Sequence, residues 1–153
     1  MSYTQRFTED NALLATYNAD SQGVGTVVSA YVDMETYHRA VLLLNVGDMG
    51  ALATLNVQLL QATSAAGAGA KTIADKAATG TKSITQLTQA GGDGNDNLGV
   101  ELQTEELDVD GGFNFIAVQV VVAVAAVEMG WVLLGTNSRY KAVPTTNFAE
   151  IID

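Results

Sequence analysis

The chain has no cysteine, one histidine and one proline in 153 residues. Without cysteine there is no disulfide, no thiolate nucleophile and no thiolate metal site. His38 is the single histidine, so multi-histidine metal sites are excluded and any nucleophile triad would rest on that one ring. It sits beside Tyr37 and Arg39 at the start of an expected strand. There a histidine hydrogen-bonded to a neighbour is a commoner finding than a catalytic base. Positive charge is scarce too: seven Lys and Arg against seventeen Asp and Glu leave a formal charge of -10. Phosphate backbones and anionic bilayers select basic patches, so neither a nucleic-acid nor a membrane partner is expected. The first eleven residues lack the basic-then-apolar order of a signal peptide. No nucleophile elbow, Walker loop or dinucleotide fingerprint occurs, and Gly23-Val24-Gly25 is too short to count as one.

What the chain does have is apolar. Hydrophobic residues make up 48% and charged residues 16%, against about 25% charged in an ordinary domain. That balance is opposite to disorder. The length suits one domain of about 100–200 residues, enough to bury about two thirds of its unfolded surface. Residues 115–134 form an almost unbroken apolar run of about the ~20 residues a membrane helix needs. Gln119 and Glu128 interrupt it, and its many valines suit strands. Two buried strands are expected, with Gly130 as a place to break the run.

The rest of the chain also reads as strands. Residues 26–32 are β-branched and aromatic, and residues 38–46 are apolar on both faces toward their end, as in a buried sandwich strand. Residues 54–59 alternate, with Leu55, Val57 and Leu59 on one side and Thr54, Asn56 and Gln58 on the other. An Ala/Gly/Ser-rich loop (62–70), short strand candidates (71–74 and 83–87), a Gly/Asp-rich loop (91–97) and an alternating strand (99–103) follow. Residues 105–112 are an acidic turn, and residues 113–123 and 129–135 are the two apolar strands. No helical period or tandem repeat appears. The expectation is an all-β, antiparallel β-sandwich, jelly-roll-like, of about eight strands. It spans residues 23–136, between an N-terminal arm (1–22) and a C-terminal arm (137–153).

Few residues could carry chemistry. Paired carboxylates can hydrolyse glycosides, but the acids here cluster in turns, where solvation keeps them ordinary. Gly91-Gly92-Asp93-Gly94-Asn95-Asp96-Asn97-Leu98 matches one copy of the calcium-binding nonapeptide. Asp93 and Asp96 would be its metal ligands. That motif works as a stack, however, and a lone Gly/Asp/Asn loop is more often a turn. Asp108-Val109-Asp110-Gly111 is a weaker fragment of the same kind. Trp131 reads as core, with an exposed anchor the rarer alternative. No cofactor is implied. Tyr3, Phe7, Arg139 and Tyr140 lie in the arms, where aromatic and arginine side chains suit contacts with another subunit.

The order of these segments resembles a known group. An apolar strand ends in Asn45-Val46-Gly47, and Leu55-Asn56-Val57-Gln58-Leu59 alternates before the Gly/Ala loop. Lys82-Ser83-Ile84-Thr85-Gln86-Leu87, Gly112-Phe113-Asn114-Phe115-Ile116 and Val132-Leu133-Leu134-Gly135 follow, then Ser138-Arg139-Tyr140. Over residues 24–141 this is similar to small β-rich virion proteins of tailed bacteriophages, the capsid decoration or cement proteins. The resemblance implies a non-enzymatic protein on the outer surface of the phage head. It would assemble as a homo-oligomer, commonly a trimer, and bridge neighbouring copies of the major capsid protein. A head–tail neck, collar or adaptor protein is the alternative within that class. A calcium-dependent carbohydrate-binding module, with glycans near Trp131, is the alternative outside it.

Overall fold

The computed structural model describes residues 7–74, 80–139 and 148. One helical turn, α1 (Phe7–Asp10), precedes ten strands. They are β1 (Ala12–Gln22), β2 (Gly25–Val28), β3 (Val32–Asp33), β4 (Tyr37–Met49) and β5 (Thr54–Ala62). Then come β6 (Lys71–Thr72), β7 (Leu87–Thr88), β8 (Asn97–Gln103), β9 (Phe115–Ala123) and β10 (Val127–Ser138). Short 3-10 turns occupy Gln89–Gly91 and Thr104–Glu106.

All pairings are antiparallel and fall into two sheets. The first runs β1-β10-β4-β8 and the second β2-β9-β5-β6. β3 also pairs with β9, and β7 with β5. β2 and β3 thus share one position along β9, and β6 and β7 share one along β5. The ten segments fill eight positions, four per sheet. β1, β4, β8 and β10 belong to one sheet and the segments between them to the other, so the chain passes back and forth between sheets. This is the two-sheet, eight-position arrangement of a jelly roll, and the expected class holds.

The core follows the alternation read from the sequence. Leu55, Val57 and Leu59 are fully buried, as are Ile116, Val118, Leu42 and Leu133. Val100 and Leu102 point inward from β8, with Glu101 outward. Trp131 is buried and stacks on Tyr17, with ring centroids 6.2 Å apart. Burying this aliphatic set contributes about 25 cal/mol per Å² of apolar surface removed from water. It is the main reason the two sheets stay together.

Three expectations are corrected. Residues 12–22, expected in the arm, are β1, an edge strand paired with β10 from Ala12–Gly135 to Gln22–Val127. Their apolar spacing is irregular because the register shifts twice, between Leu13 and Ala15 and between Tyr17 and Asp20. Each bulge moves the alternation by one residue, yet Leu14, Ala15 and Tyr17 still pack on the core. At the other boundary β10 runs to Ser138, beyond residue 136. Finally, the apolar run is not broken at Gly130. It turns at residues 124–126, with Val124 at φ 71°, and β9 and β10 lie in different sheets. Gly130 is inside β10, where a Cβ would come within 3.1 Å of the Ala19 backbone at the second β1 bulge.

Candidate functional site

The candidate calcium loop is held by its own hydrogen bonds. Asp93 Oδ2 accepts from the Thr88 amide at 2.8 Å, and Thr88 Oγ1 accepts from the Gly91 amide at 3.0 Å. Gly92 closes this 3-10 turn in the left-handed region at φ 82°, the conformation glycine supplies without penalty. The Asn95 amide donates to Gly47 O, and the Val46 amide to Asp96 O, docking the loop on the end of β4. Asp93 therefore acts as a turn cap, and Asp96 contributes a backbone carbonyl. Among the described residues no group of three or more His, Asp or Glu side chains is placed to hold a metal ion. Trp131, the suggested glycan platform, is 4% exposed and covered by Tyr17. It cannot offer a ring face to a sugar in this conformation.

The arm residues are dispersed. Phe7 stands on α1, 58% exposed. Arg139 is fastened to the body: its amide donates to Thr36 O at 2.8 Å and its guanidinium to Thr104 Oγ1 at 3.1 Å. Tyr3 and Tyr140 lie outside the described residues. His38 is exposed, and its carbonyl accepts from Thr104 Oγ1 at 3.3 Å.

Two ionic clusters lock loops to sheets. Lys71 Nζ meets Asp108 Oδ2 at 2.5 Å and lies 3.9 Å above the centre of the Phe113 ring. Asp108 also accepts from the Gly111 amide, and its own amide donates to buried Gln61 Oε1 at 2.9 Å. The Lys71 hydrogen bond, helped by the Gly111 N–H, holds the Asp108 carboxyl below the usual carboxylate range. In the second cluster Lys82 Nζ pairs with Glu106 Oε1 at 2.7 Å and donates to Glu101 O at 3.0 Å. Glu106 Oε2 takes the Gln103 amide at 2.8 Å. Both clusters fasten the long β8–β9 connection to the sandwich.

The outer face of the first sheet went unnoticed in the sequence. Val41 and Leu43 on β4 lie opposite Leu134 and Val132 on β10. All four side chains point away from the core, and Leu43 is 47% exposed. On the other side Gly99 lies opposite Leu43, and exposed Glu101 lies opposite Val41. A shallow depression of about 640 Å³ on this face is lined by Leu43 and Val132 together with Gly99, Gly130, Asn45 and Asn97. Asn45 Nδ2 donates to Asn97 Oδ1 at 2.8 Å. The signal was the run Val41-Leu42-Leu43-Leu44, apolar on both faces. Such a run predicts burial on both sides, whereas no layer of the described chain covers the outer one. Such a face suits contact with another protein surface.

Compared with protein-family models, with curated proteins and with solved structures, the chain matches none of them.

Proposed function

We propose that the chain is a non-enzymatic structural protein of a tailed-phage virion, a decoration or cement protein on the outside of the head. The observation that carries this reading is the aliphatic patch at the centre of the first sheet's outer face, Val41, Leu43, Val132 and Leu134, bordered by Arg39 and Glu101. A rigid jelly roll that leaves such a face open is built to be covered. Viral capsid domains are among the proteins that use this architecture, an analogy of fold and not of site. The face packs between copies of the chain related by closed symmetry, a trimer by preference. The copies together bridge neighbouring major capsid proteins. The -10 charge keeps the free oligomer soluble and discourages further association before it reaches the lattice.

The test is addition of the purified chain to heads of the encoding phage prepared without it. Co-sedimentation with hundreds of copies per head, and heads that then resist heating, is the expected result. Light scattering on the free chain should give a discrete oligomer, and Leu43→Asp should dissociate it. Copies numbering a single ring at one vertex would mean a neck or adaptor protein instead. No binding to heads would overturn the virion reading altogether.

A further inference from the structure

At one end of the sandwich three connections cross between sheets side by side, because their strands are neighbours in both. They are β1 to β2 (residues 23–24), β9 to β10 (124–126) and β4 to β5 (50–53). The Gly50 amide donates to Ala126 O at 2.8 Å, joining the last two. Gln22 pairs with Val127 and Gly25 with Val122, placing the first beside them. Each crest carries one large aliphatic side chain. Val24, Val124 and Leu52 are 62%, 65% and 66% exposed, the three highest values for a large hydrophobic residue among those described. Two of them stand on unsuitable backbone: Leu52 has φ 60° and Val124 φ 71°. That region is uncommon for any residue but glycine, and an outlier for a β-branched one. Asparagine would sit there at lower cost, so the fold gains nothing from leucine and valine at these crests. Strain retained at exposed positions points to use.

The charge around the crests has one sign. Asp20, Asp48 and Glu128 lie near the crest ends of their strands, and Asp93 and Asp96 in the adjoining β7–β8 connection. The described cations lie toward the opposite end. Arg39 pairs with Gln103 and Thr136, Lys71 with Gln61, Lys82 reaches Glu101 and Glu106, and Arg139 reaches Thr104. A second copy brought crest to crest would set like charges against each other, and an anionic bilayer would be repelled in the same way.

We propose that the row Val24, Val124, Leu52 is the end-on docking surface of the protein, seated in an apolar groove rimmed by Lys and Arg on the shell protein. The inference rests on the decoration reading and names the surface that does the binding. The apolar crests supply affinity, and the carboxylates set orientation and the rate of encounter.

The experiment compares wild type, Leu52→Asn, Val124→Asn, the double variant and Phe7→Ser for melting temperature and for binding to heads that lack the chain. The asparagine variants should melt at or above wild type, because the left-handed backbone suits them. The double variant should bind heads at least about tenfold more weakly, as expected for two lost aliphatic anchors. Phe7→Ser should bind as wild type does, and wild-type association should slow as salt rises. A double variant that folds and binds heads as wild type does would overturn the docking proposal while leaving the decoration reading intact. Loss of binding in Phe7→Ser alone would overturn it in favour of the arm. Failure of wild type itself to bind would remove both.

Discussion

Gly135→Ala measures how closely β4 and β10 fit together at one end of the first sheet. Gly135 is buried in β10, and an added Cβ would lie 2.8 Å from Tyr37 Cγ and 2.9 Å from both Cδ atoms. Carbon atoms in a packed interior rest about 3.5–4.0 Å apart, so the ring must retreat by about 0.7–1.2 Å. Tyr37 is 6% exposed and belongs to the core cluster, so it has little free space to enter. Overpacking of this kind costs about 1–3 kcal/mol. Against that, alanine lowers the entropy of the unfolded chain by about 0.4–1 kcal/mol, because this glycine has no left-handed φ to protect. At the midpoints of these ranges the net expectation is about 1.3 kcal/mol of lost stability. At about 2–4 °C per kcal/mol for a chain of this size, the melting temperature falls by about 3–5 °C. Urea titration at fixed protein concentration, followed by the single tryptophan, reads this directly because Trp131 is buried against Tyr17. Adding Tyr37→Leu should recover part of the loss, with a coupling of about 0.5–3 kcal/mol. Gly23→Ala is the control: nothing lies within 4 Å of its added Cβ, so its effect should stay within about 0.5 kcal/mol. A Gly135→Ala chain as stable as wild type, or a cycle with no coupling, would refute the packing argument.

Two further outcomes follow from the loops. Asp93→Ala should cost about 1 kcal/mol through loss of the cap on Thr88, and calorimetric scans should show the same loss in calcium and in EDTA. A penalty that vanishes in EDTA would mean that Asp93 serves a metal. For Asp108, whose folded carboxyl titrates below its usual value, the stabilising contribution is complete above the unfolded pKa. It is lost as pH falls through the folded pKa. The stability gap between wild type and Asp108→Asn should therefore be widest near neutrality and narrow in acid below the usual carboxylate range. A gap that widens on acidification would contradict the sign.

Much of the fold was legible because the second sheet and the centre of the first alternate cleanly. Leu55, Val57 and Leu59 against Thr54, Asn56 and Gln58 is a period of two with no interruption. What stayed hidden was hidden by bulges and by tertiary context. Two register shifts scramble the pattern of β1, so a real strand looked like an arm. Gly130 resembled a breaker because glycine usually marks turns. Here it makes room for the β1 backbone, while the turn falls at Val124, a residue whose chemistry argues against one. The surface features were less legible still. Leu43 has the composition of a core residue, and only the order of strands shows that its side faces outward. Likewise Val24, Leu52 and Val124 are far apart in sequence, and only the sheet order makes them neighbours.

The adjacency of β1 and β10 has a consequence for how the protein is made. Ala12 and its partner Gly135 are more than a hundred positions apart, and β10 also joins β1 to β4. A ribosome delivering the chain from its N-terminus exposes β1 and β4 long before the strand that belongs between them. The first sheet cannot close until residue 138 has emerged, so no partial product presents the finished outer face or the row of crests. Closing such distant contacts is slow, on the order of milliseconds to seconds. During that wait the open edges are vulnerable to mispairing. The complete first sheet thus arrives all at once, at the end of synthesis, and a chain truncated before β10 lacks it.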